Sequence, residues 1–384
     1  MVHKKVKEPK NKPVNKMNKI LLAVTIALVL IGMFSILSAS SRETVARYEY
    51  SAIYFFKKHV IVLIAALIAS LIIFKIPTKY YKILAPVGFC VVGLLIIILF
   101  FIGINKRGSQ GWFSSGGQPS ELMKPMIIMV LAMVFDYYYH LKKRNEPYSL
   151  FKFFIIFFIV ALIFPGITLI QGDLGTALLT GGIAIIMLLA SPLSKSEKFK
   201  CLSMVFIIGL VGASTLILTK GRILKDEQIE RLTEFTKPCS KYEDSGYQIC
   251  NGFIAINDGG LFGLGIGDSR QKYSYIPDPH TDSIFSVIIE EMGLFFGMII
   301  LFLYGIMIKQ ILNIASNTKN IRNRYIAFGV ASYLFLHIFL NLGGLLAMIP
   351  LTGVPLPLIS YGGSFTLSFI CSIAVIQRIN MEIK

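Results

Sequence analysis

The chain has 384 residues, 55% of them hydrophobic and only 15% charged, with a mean hydropathy of +0.69. A soluble domain carries roughly a quarter charged residues, so this composition excludes a water-soluble globular protein and calls for lipid as the solvent. The formal net charge of +17 does not point to a nucleic-acid partner, because the basic residues are spread over short loops without a reading module.

A bilayer core about 30 Å thick is crossed by roughly 20 apolar helical residues. Apolar runs near that length follow one another at 20–37, 60–74, 83–102, 123–139, 151–170, 176–190, 202–218, 284–308, 325–348 and 364–376. They predict an all-α, polytopic membrane protein of about ten transmembrane helices, since a backbone in lipid must pair within its own segment. The last run is short, and its helix is expected to start earlier, near Leu358. A β-barrel is set aside, because its strands would alternate over about ten residues and the run 61–74 does not alternate. The expected organisation is a basic tail at 1–18, one membrane domain at 19–380 and a short end at 381–384. A large external loop at 220–283 lies between the seventh and eighth helices. No internal repeat is evident, nor the paired broken helices of an inverted-repeat transporter.

Charge orients the chain. The tail carries Lys4, Lys5, Lys7, Lys10, Lys12 and Lys16, and every second loop afterwards is basic: Lys75/Lys79/Lys82, Lys142/Lys143/Arg144, Lys195/Lys198/Lys200 and Lys319/Arg322/Arg324. The positive-inside rule puts these loops and both termini in the cytoplasm, which requires an even number of spans. The tail lysines also suit anionic membrane lipid. The first apolar run lacks a small-residue cleavage site and reads as a retained span. Cys90, Cys201 and Cys371 lie in or beside spans, where a thiol is usually a small core residue. Cys239 and Cys250 share the long external loop, in an oxidising compartment, and are disulfide candidates; two reduced thiols are the alternative.

The residues that carry chemistry gather on the external loops. Loop 105–119 is rich in Gly and Ser and holds Trp112, the only tryptophan, a residue type that anchors at head-group level. It leads into Gln118-Pro119-Ser120-Glu121-Leu122-Met123-Lys124. Ser120 is expected to cap the fourth span. Glu121 and Lys124 share a helix face, and ionisable groups there are costly unless paired or facing a wet cavity. Asp173, in Gln171-Gly172-Asp173-Leu174-Gly175-Thr176, suits the positive end of a helix, so capping and function both explain it.

The loop 220–283 is too long to be a plain connection. Residues 225–235 space Ile229, Leu232 and Phe235 as an amphipathic surface helix would. The glycine-rich run 259–272 ends in Arg270-Gln271-Lys272 and offers backbone N–H groups that could cradle a phosphate, although it lacks the Walker spacing. Pro277-Asp278-Pro279-His280-Thr281-Asp282-Ser283 then enters a span with Glu290 and Glu291 about two turns in. Asp282, near His280, Arg270 and Lys272, is placed as a partly desolvated carboxylate that still meets water, as a general base requires; a helix cap is its other reading. Finally, 350–364 contains Pro355-Leu356-Pro357-Leu358-Ile359-Ser360-Tyr361-Gly362-Gly363-Ser364. A broken polar segment is tolerated only where protein buries it or where it lines a cavity, so it is read as a wall of the same site.

In order along the chain, these motifs resemble the SEDS family (shape, elongation, division and sporulation), the FtsW and RodA proteins. The resemblance covers nearly everything after the basic tail. It rests on Gln118-Pro119-Ser120-Glu121 with Lys124, Asp173-Leu174-Gly175-Thr176, the run 259–272, Pro279-His280-Thr281-Asp282, Glu290-Glu291-Met292-Gly293 and 355–364. Gly267-Asp268-Ser269-Arg270-Gln271-Lys272 is closer to the FtsW branch. Asp268 stands where Asn or Gln is frequent in the family, Asp278 where Glu is usual and Ser283 where Phe is usual, and the Cys239/Cys250 segment resembles an insertion.

The resemblance implies a peptidoglycan glycosyltransferase of the bacterial inner membrane that polymerises lipid II on the outer face. It implies Asp282 as the general base. Lys124, Arg270 and Lys272 are the expected cations for the leaving pyrophosphate, with a divalent ion (Mg or Mn) as an optional aid and no firm cofactor. Glu121 and Lys124 are expected as a polar pair with Trp112 at the rim. Ser120, Asp173, Gln271, His280, Thr281, Ser360 and Ser364 are expected in support. The implied partners are lipid II, a class B penicillin-binding protein, other divisome or elongasome membrane proteins, and membrane lipid. Two other functions use the same features. A lipid II flippase would need the site open to both faces, and a scaffold for the penicillin-binding protein would leave Asp282 and Glu121 without a role.

Overall fold

The computed structural model describes residues 16–48, 51, 53–106, 109–114, 116–218, 239, 246–273 and 276–383. Long apolar runs become helices: α1 (Lys19–Tyr48), α2 (Tyr54–Lys75), α3 (Tyr81–Ile102), α4 (Pro119–Lys143), α5 (Leu150–Ala161), α6 (Ile163–Ile170), α7 (Leu174–Ala190) and α8 (Lys195–Leu218). Within the long loop lies α9 (Gly246–Gly259), and after it come α10 (Ile284–Asn317), α11 (Ile321–Leu345) and α12 (Gly363–Met381). Among the described residues, eight helical stretches are long and apolar enough to cross a membrane, with α5 and α6 forming one of them and α7 a shorter apolar helix besides. The protein is an all-α, multi-pass membrane protein. Most of the basic tail and the segment 225–235 lie outside the described residues.

The helices divide into a centre and a lipid-facing rim. The best apolar window of α11 is 67% buried and that of α2 only 17%. Ile61, Ile64, Leu67, Ile68 and Leu71 of α2 are all more than half exposed, as side chains in contact with acyl chains would be. α11 packs on α4, α7 and α10, α1 packs on α10, and α2 packs on α12. Apolar burial does not drive helix association in lipid, so packing and interhelical hydrogen bonds must hold the bundle. Ser368 Oγ donates to Glu121 O across α12 and α4 (2.8 Å), and Arg378 Nη1 donates to Phe74 O across α12 and α2 (2.9 Å). The Gln377 amide exchanges two 2.9 Å hydrogen bonds with the backbone of Asn18.

Two local expectations change. The last helix starts at Gly363, not near Leu358. Leu358 has φ 64° and Gly362 is extended, so the chain cannot run on as a helix from Leu358. α4 starts at Pro119, whose missing N–H suits the first helical position, so Gln118 takes the cap position and Ser120 is not the cap. The long loop contains α9, and the candidate Cys239–Cys250 disulfide forms, tying Cys239 to the second turn of that helix with Cα atoms 5.1 Å apart. A short antiparallel hairpin, β1 (Ile104–Lys106) with β2 (Ser109–Trp112), also forms in the glycine-rich loop before α4.

α10 breaks at Gly293, where φ is 83° and ψ 166°. A break of this kind strands backbone groups that cannot be left bare in a membrane protein. The glycine-rich run supplies partners for four of them. Leu264 N donates to Glu290 O (2.9 Å) and Gly265 N to Glu291 O (3.0 Å), while Leu294 N donates to Gly260 O (2.9 Å) and Phe295 N to Leu261 O (3.2 Å). The approach is too close for side chains: a Cβ on Gly293 would sit 2.2 Å from Leu261 O, and one on Gly263 would sit 2.3 Å from Glu291 O. Gly293→Ala is expected to destabilise the fold by at least about 2 kcal/mol, from left-handed strain plus the clash. Gly305→Ala in the same helix, where a Cβ meets nothing within 4 Å, is the control and should leave the unfolding midpoint in detergent unchanged or raised.

Candidate active site

The spacing of the glycine-rich run suggests N–H groups offered to a phosphate. Those of Gly263, Leu264, Gly265 and Asp268 instead bond protein carbonyls, so this part of the run is a plug for the broken helix. Glu290 closes the adjoining turn. Its Oε2 accepts from Ser269 Oγ (2.5 Å), and its Oε1 accepts from Arg270 N (2.8 Å) and Gln271 N (3.2 Å). Lys272 points inward, is buried, and donates to Glu291 Oε1 (2.5 Å) and to Ser38 Oγ of α1 (3.1 Å). Lys272 is therefore neutralised inside the protein and does not stand as a free cation beside Asp282. Of the two cations in this turn, only Arg270 has an exposed side chain.

A second buried network runs through α4, α11 and the broken segment 350–362. Lys124 Nζ lies 2.7 Å from both oxygens of Glu121 and 3.5 Å from His337 Nε2. His337 Nδ1 is 3.2 Å from Pro355 O, and its ring stacks on Phe365 with centroids 4.7 Å apart. A hydrogen bond to that carbonyl requires a proton on Nδ1, which leaves Nε2 free to accept from Lys124. Beside this network, Asp173 caps α7 through Thr176 N (2.9 Å) and holds Gln118 Nε2 (2.8 Å), while Gln118 N donates to Ser364 Oγ (2.9 Å). The head of α7 also touches the broken segment, since a Cβ on Gly175 would lie 2.2 Å from Thr352 O.

Asp282 sits at the entry to α10, 7% exposed. Its Oδ1 lies 2.9 Å from Thr281 Oγ1, whose one hydroxyl hydrogen is shared with Asp278 O (2.8 Å). Asn341 Nδ2 clamps the Asp282 carbonyl (2.7 Å) and, through the same amide, Val354 O (2.8 Å). The other oxygen, Oδ2, faces Gly353, where a Cβ would lie 3.8 Å away. Among the described residues no lysine or arginine pairs with Asp282, and no hydrogen bond reaches Oδ2. This sets it apart from the other four carboxylates singled out in the sequence. Glu121 and Glu291 are bound to lysines, Glu290 closes a turn, and Asp173 caps a helix.

The broken segment is the common wall. Tyr304 Oη donates to Pro357 O, Leu356 N donates to Ser360 Oγ (2.8 Å), and Tyr361 N donates to His280 O (2.9 Å). The buried His280 ring packs against Phe55 (4.2 Å between centroids) and Tyr361 (5.4 Å). Ser360 is thus a turn-former, and Ser364 accepts from the turn before α4. Ser120 Oγ is buried without a hydrogen-bond partner, as is Gln271 Oε1. Trp112 lies half-buried on the hairpin opposite Ile104.

Motif reading does not single out His337 and Asn341. They lie four residues apart on one face of a span, and polar residues inside an apolar run are the signal that could find them. Among the described residues, no three His, Cys, Asp or Glu side chains gather into a metal-ligand set.

Comparison with known proteins agrees with this architecture. The family model described as "Cell cycle protein", covering FtsW, RodA and SpoVE, matches residues 18–384. A Bacillus subtilis protein named "Probable peptidoglycan glycosyltransferase FtsW" is 33% identical over 92% of this chain and 88% of its own length. Stage V sporulation protein E of the same organism is 29% identical over 95% of this chain and 97% of its own. Among solved structures, Thermus thermophilus RodA superposes with a TM-score of 0.66 at 22% identity, covering 96% of this chain and 97% of that one. A chain from a structure described as "Structural coordination of polymerization and crosslinking by a peptidoglycan synthase complex" gives 0.74 at 21% identity, with 95% and 97% coverage. With a family model spanning the whole membrane domain and a relative 33% identical along nearly its full length, the chain belongs to the FtsW/RodA/SpoVE family of cell-cycle proteins.

Proposed function

We propose that this protein is a peptidoglycan glycosyltransferase that polymerises lipid II on the outer face of the bacterial inner membrane, in cell division. The chain crosses about ten times, with both termini cytoplasmic, as the alternation of basic loops supports. Asp282 is the general base. It takes the proton from the 4-hydroxyl of the acceptor GlcNAc; that oxygen bonds to the anomeric carbon of the donor MurNAc, and the bond to the lipid pyrophosphate breaks. The observation that carries this role is the unengaged Oδ2, on a carboxylate held at its backbone by Asn341 and at Oδ1 by Thr281.

Arg270 is the cation for the departing pyrophosphate, because its side chain is exposed and charge placed where negative charge develops lowers the barrier. Lys124 and Lys272 act through the segments they hold. His280 and Ser360 fix the broken segment beside Asp282, Ser364 holds the turn before α4, and Trp112 marks the rim. A Mg or Mn ion enters only as a counter-ion carried by the pyrophosphate. Other partners are a class B penicillin-binding protein, further divisome or elongasome membrane proteins, and membrane lipid. The name of the synthase-complex neighbour supports the first of these.

The test is glycan synthesis by the purified full-length protein on labelled lipid II, with and without its cognate transpeptidase. Polymer formation is the expected result. No polymer under either condition would sink the enzyme reading and leave transport or scaffolding.

A further inference from the structure

At the opposite end of the bundle from Asp282, the structure has a cleft of about 350 Å³ between the start of α3, the end of α4 and the start of α11. That volume falls in the range of small-molecule sites. Arg322 forms its inner wall and is 3% exposed. Only Nη2 of its guanidinium has a partner, Thr78 O at 3.0 Å, while Nε and Nη1 have none. A buried cation with two unsatisfied donors is expensive. Its position adds to the cost: Arg322 lies in the first turn of α11, where the helix dipole favours an anion. Lys82, Arg144 and His140 line the outer part and are exposed, and Met133 adds an apolar side.

The one carboxylate lining the cleft is Asp136; it acts on Arg322 by charge, as does Glu382 from beside Thr78, but neither forms a close ion pair with it. Asp136 lies 3.5 Å from His140 Nε2, while Arg144 reaches Glu146 only at the exposed rim (3.6 Å). Three permanent cations therefore face one carboxylate in a cleft at the basic, lipid-adjacent end of a membrane bundle.

We propose that this cleft binds the phosphodiester head group of an anionic phospholipid from the cytoplasmic leaflet. The phosphate oxygens take the free donors of Arg322, with Lys82 and Arg144 closing over them. Hydroxyls of a glycerol head group donate to Asp136. A basic pocket between spans on the cytoplasmic side has the right charge and depth for this class of ligand. A soluble phosphate would have the same central contacts but no acyl chains to hold it at the membrane edge.

The experiment is native mass spectrometry of the full-length protein in detergent, titrated separately with phosphatidylglycerol, phosphatidylethanolamine and inorganic phosphate. One phosphatidylglycerol should be retained about tenfold more tightly than phosphatidylethanolamine, and Arg322→Gln should remove that preference, as charge-assisted hydrogen bonds of this strength imply. Because Arg322 also holds Thr78, the variant pair Lys82→Ser/Arg144→Ser, confined to exposed side chains, is run beside it and should weaken phosphatidylglycerol several-fold without lowering the unfolding midpoint. Equal retention of the two lipids overturns the proposal, as does unchanged phosphatidylglycerol binding in the folded rim variant. Inorganic phosphate displacing the lipid at equal concentration would assign the cleft to a soluble anion, and also overturns it.

Discussion

Asp282→Asn is expected to abolish glycan synthesis while leaving the protein folded and at normal level. The change is isosteric. Asn can still accept from Thr281 Oγ1 through its amide oxygen, and the Asn341 clamp acts on the backbone carbonyl, which the substitution does not touch. What disappears is the ability to take a proton at Oδ2. General-base catalysis contributes about 10² to 10⁴ in rate, so the variant should fall by at least about a hundredfold in a lipid II polymerisation assay. Asp282→Glu moves the carboxylate by one methylene toward Gly353 and should keep partial activity, since the base is retained but misplaced. Asp282→Asn activity within a few-fold of wild type, in protein with an unchanged unfolding midpoint, would remove Asp282 from the mechanism.

That carboxylate is legible in the amino-acid sequence, whereas its neighbours are only half so, for a physical reason. Motif position identifies Asp282, Glu121, Lys124 and Asp173, because charged residues at the heads of apolar runs stand out in a membrane chain. Sequence does not say which of them are engaged. Glu290 and Glu291 stand out in sequence only as acidic groups about two turns into a span, whereas in the structure one closes a turn and the other neutralises Lys272, beside a break at Gly293 whose exposed backbone the glycine-rich run covers. The same break explains why those glycines look like an anion cradle: close backbone approach needs Gly whether the partner is a phosphate or a carbonyl. The spans are legible from length and hydropathy alone. The start of α12 is not, because Leu358 continues an apolar pattern while its positive φ stops the helix. Long-range ties such as His337 to Pro355 O have no signature in local spacing.

The Glu121–Lys124 pair gives the second large effect, and it separates contact with substrate from support of the fold. Both side chains are buried, and Lys124 Nζ is held by two carboxylate oxygens and His337. Lys124→Met leaves Glu121 as a buried charge without its partner, and Glu121→Met strands Lys124 in the same way. Each single variant should destabilise the protein by about 3–5 kcal/mol and lose activity with it, read as a lowered unfolding midpoint in detergent. The double variant, Glu121→Met with Lys124→Met, removes both charges at similar volume. It should recover most of the stability, because replacing a buried ion pair by apolar side chains is often neutral or better. If Lys124 works only by holding α4 against His337 and the Pro355 carbonyl, glycan synthesis should return with the fold. A double variant that is stable, displays its Asp282 wall intact, and still makes no polymer would mean that the ammonium group itself meets the pyrophosphate. The pair would then have to open when substrate binds, since Lys124 is only 1% exposed.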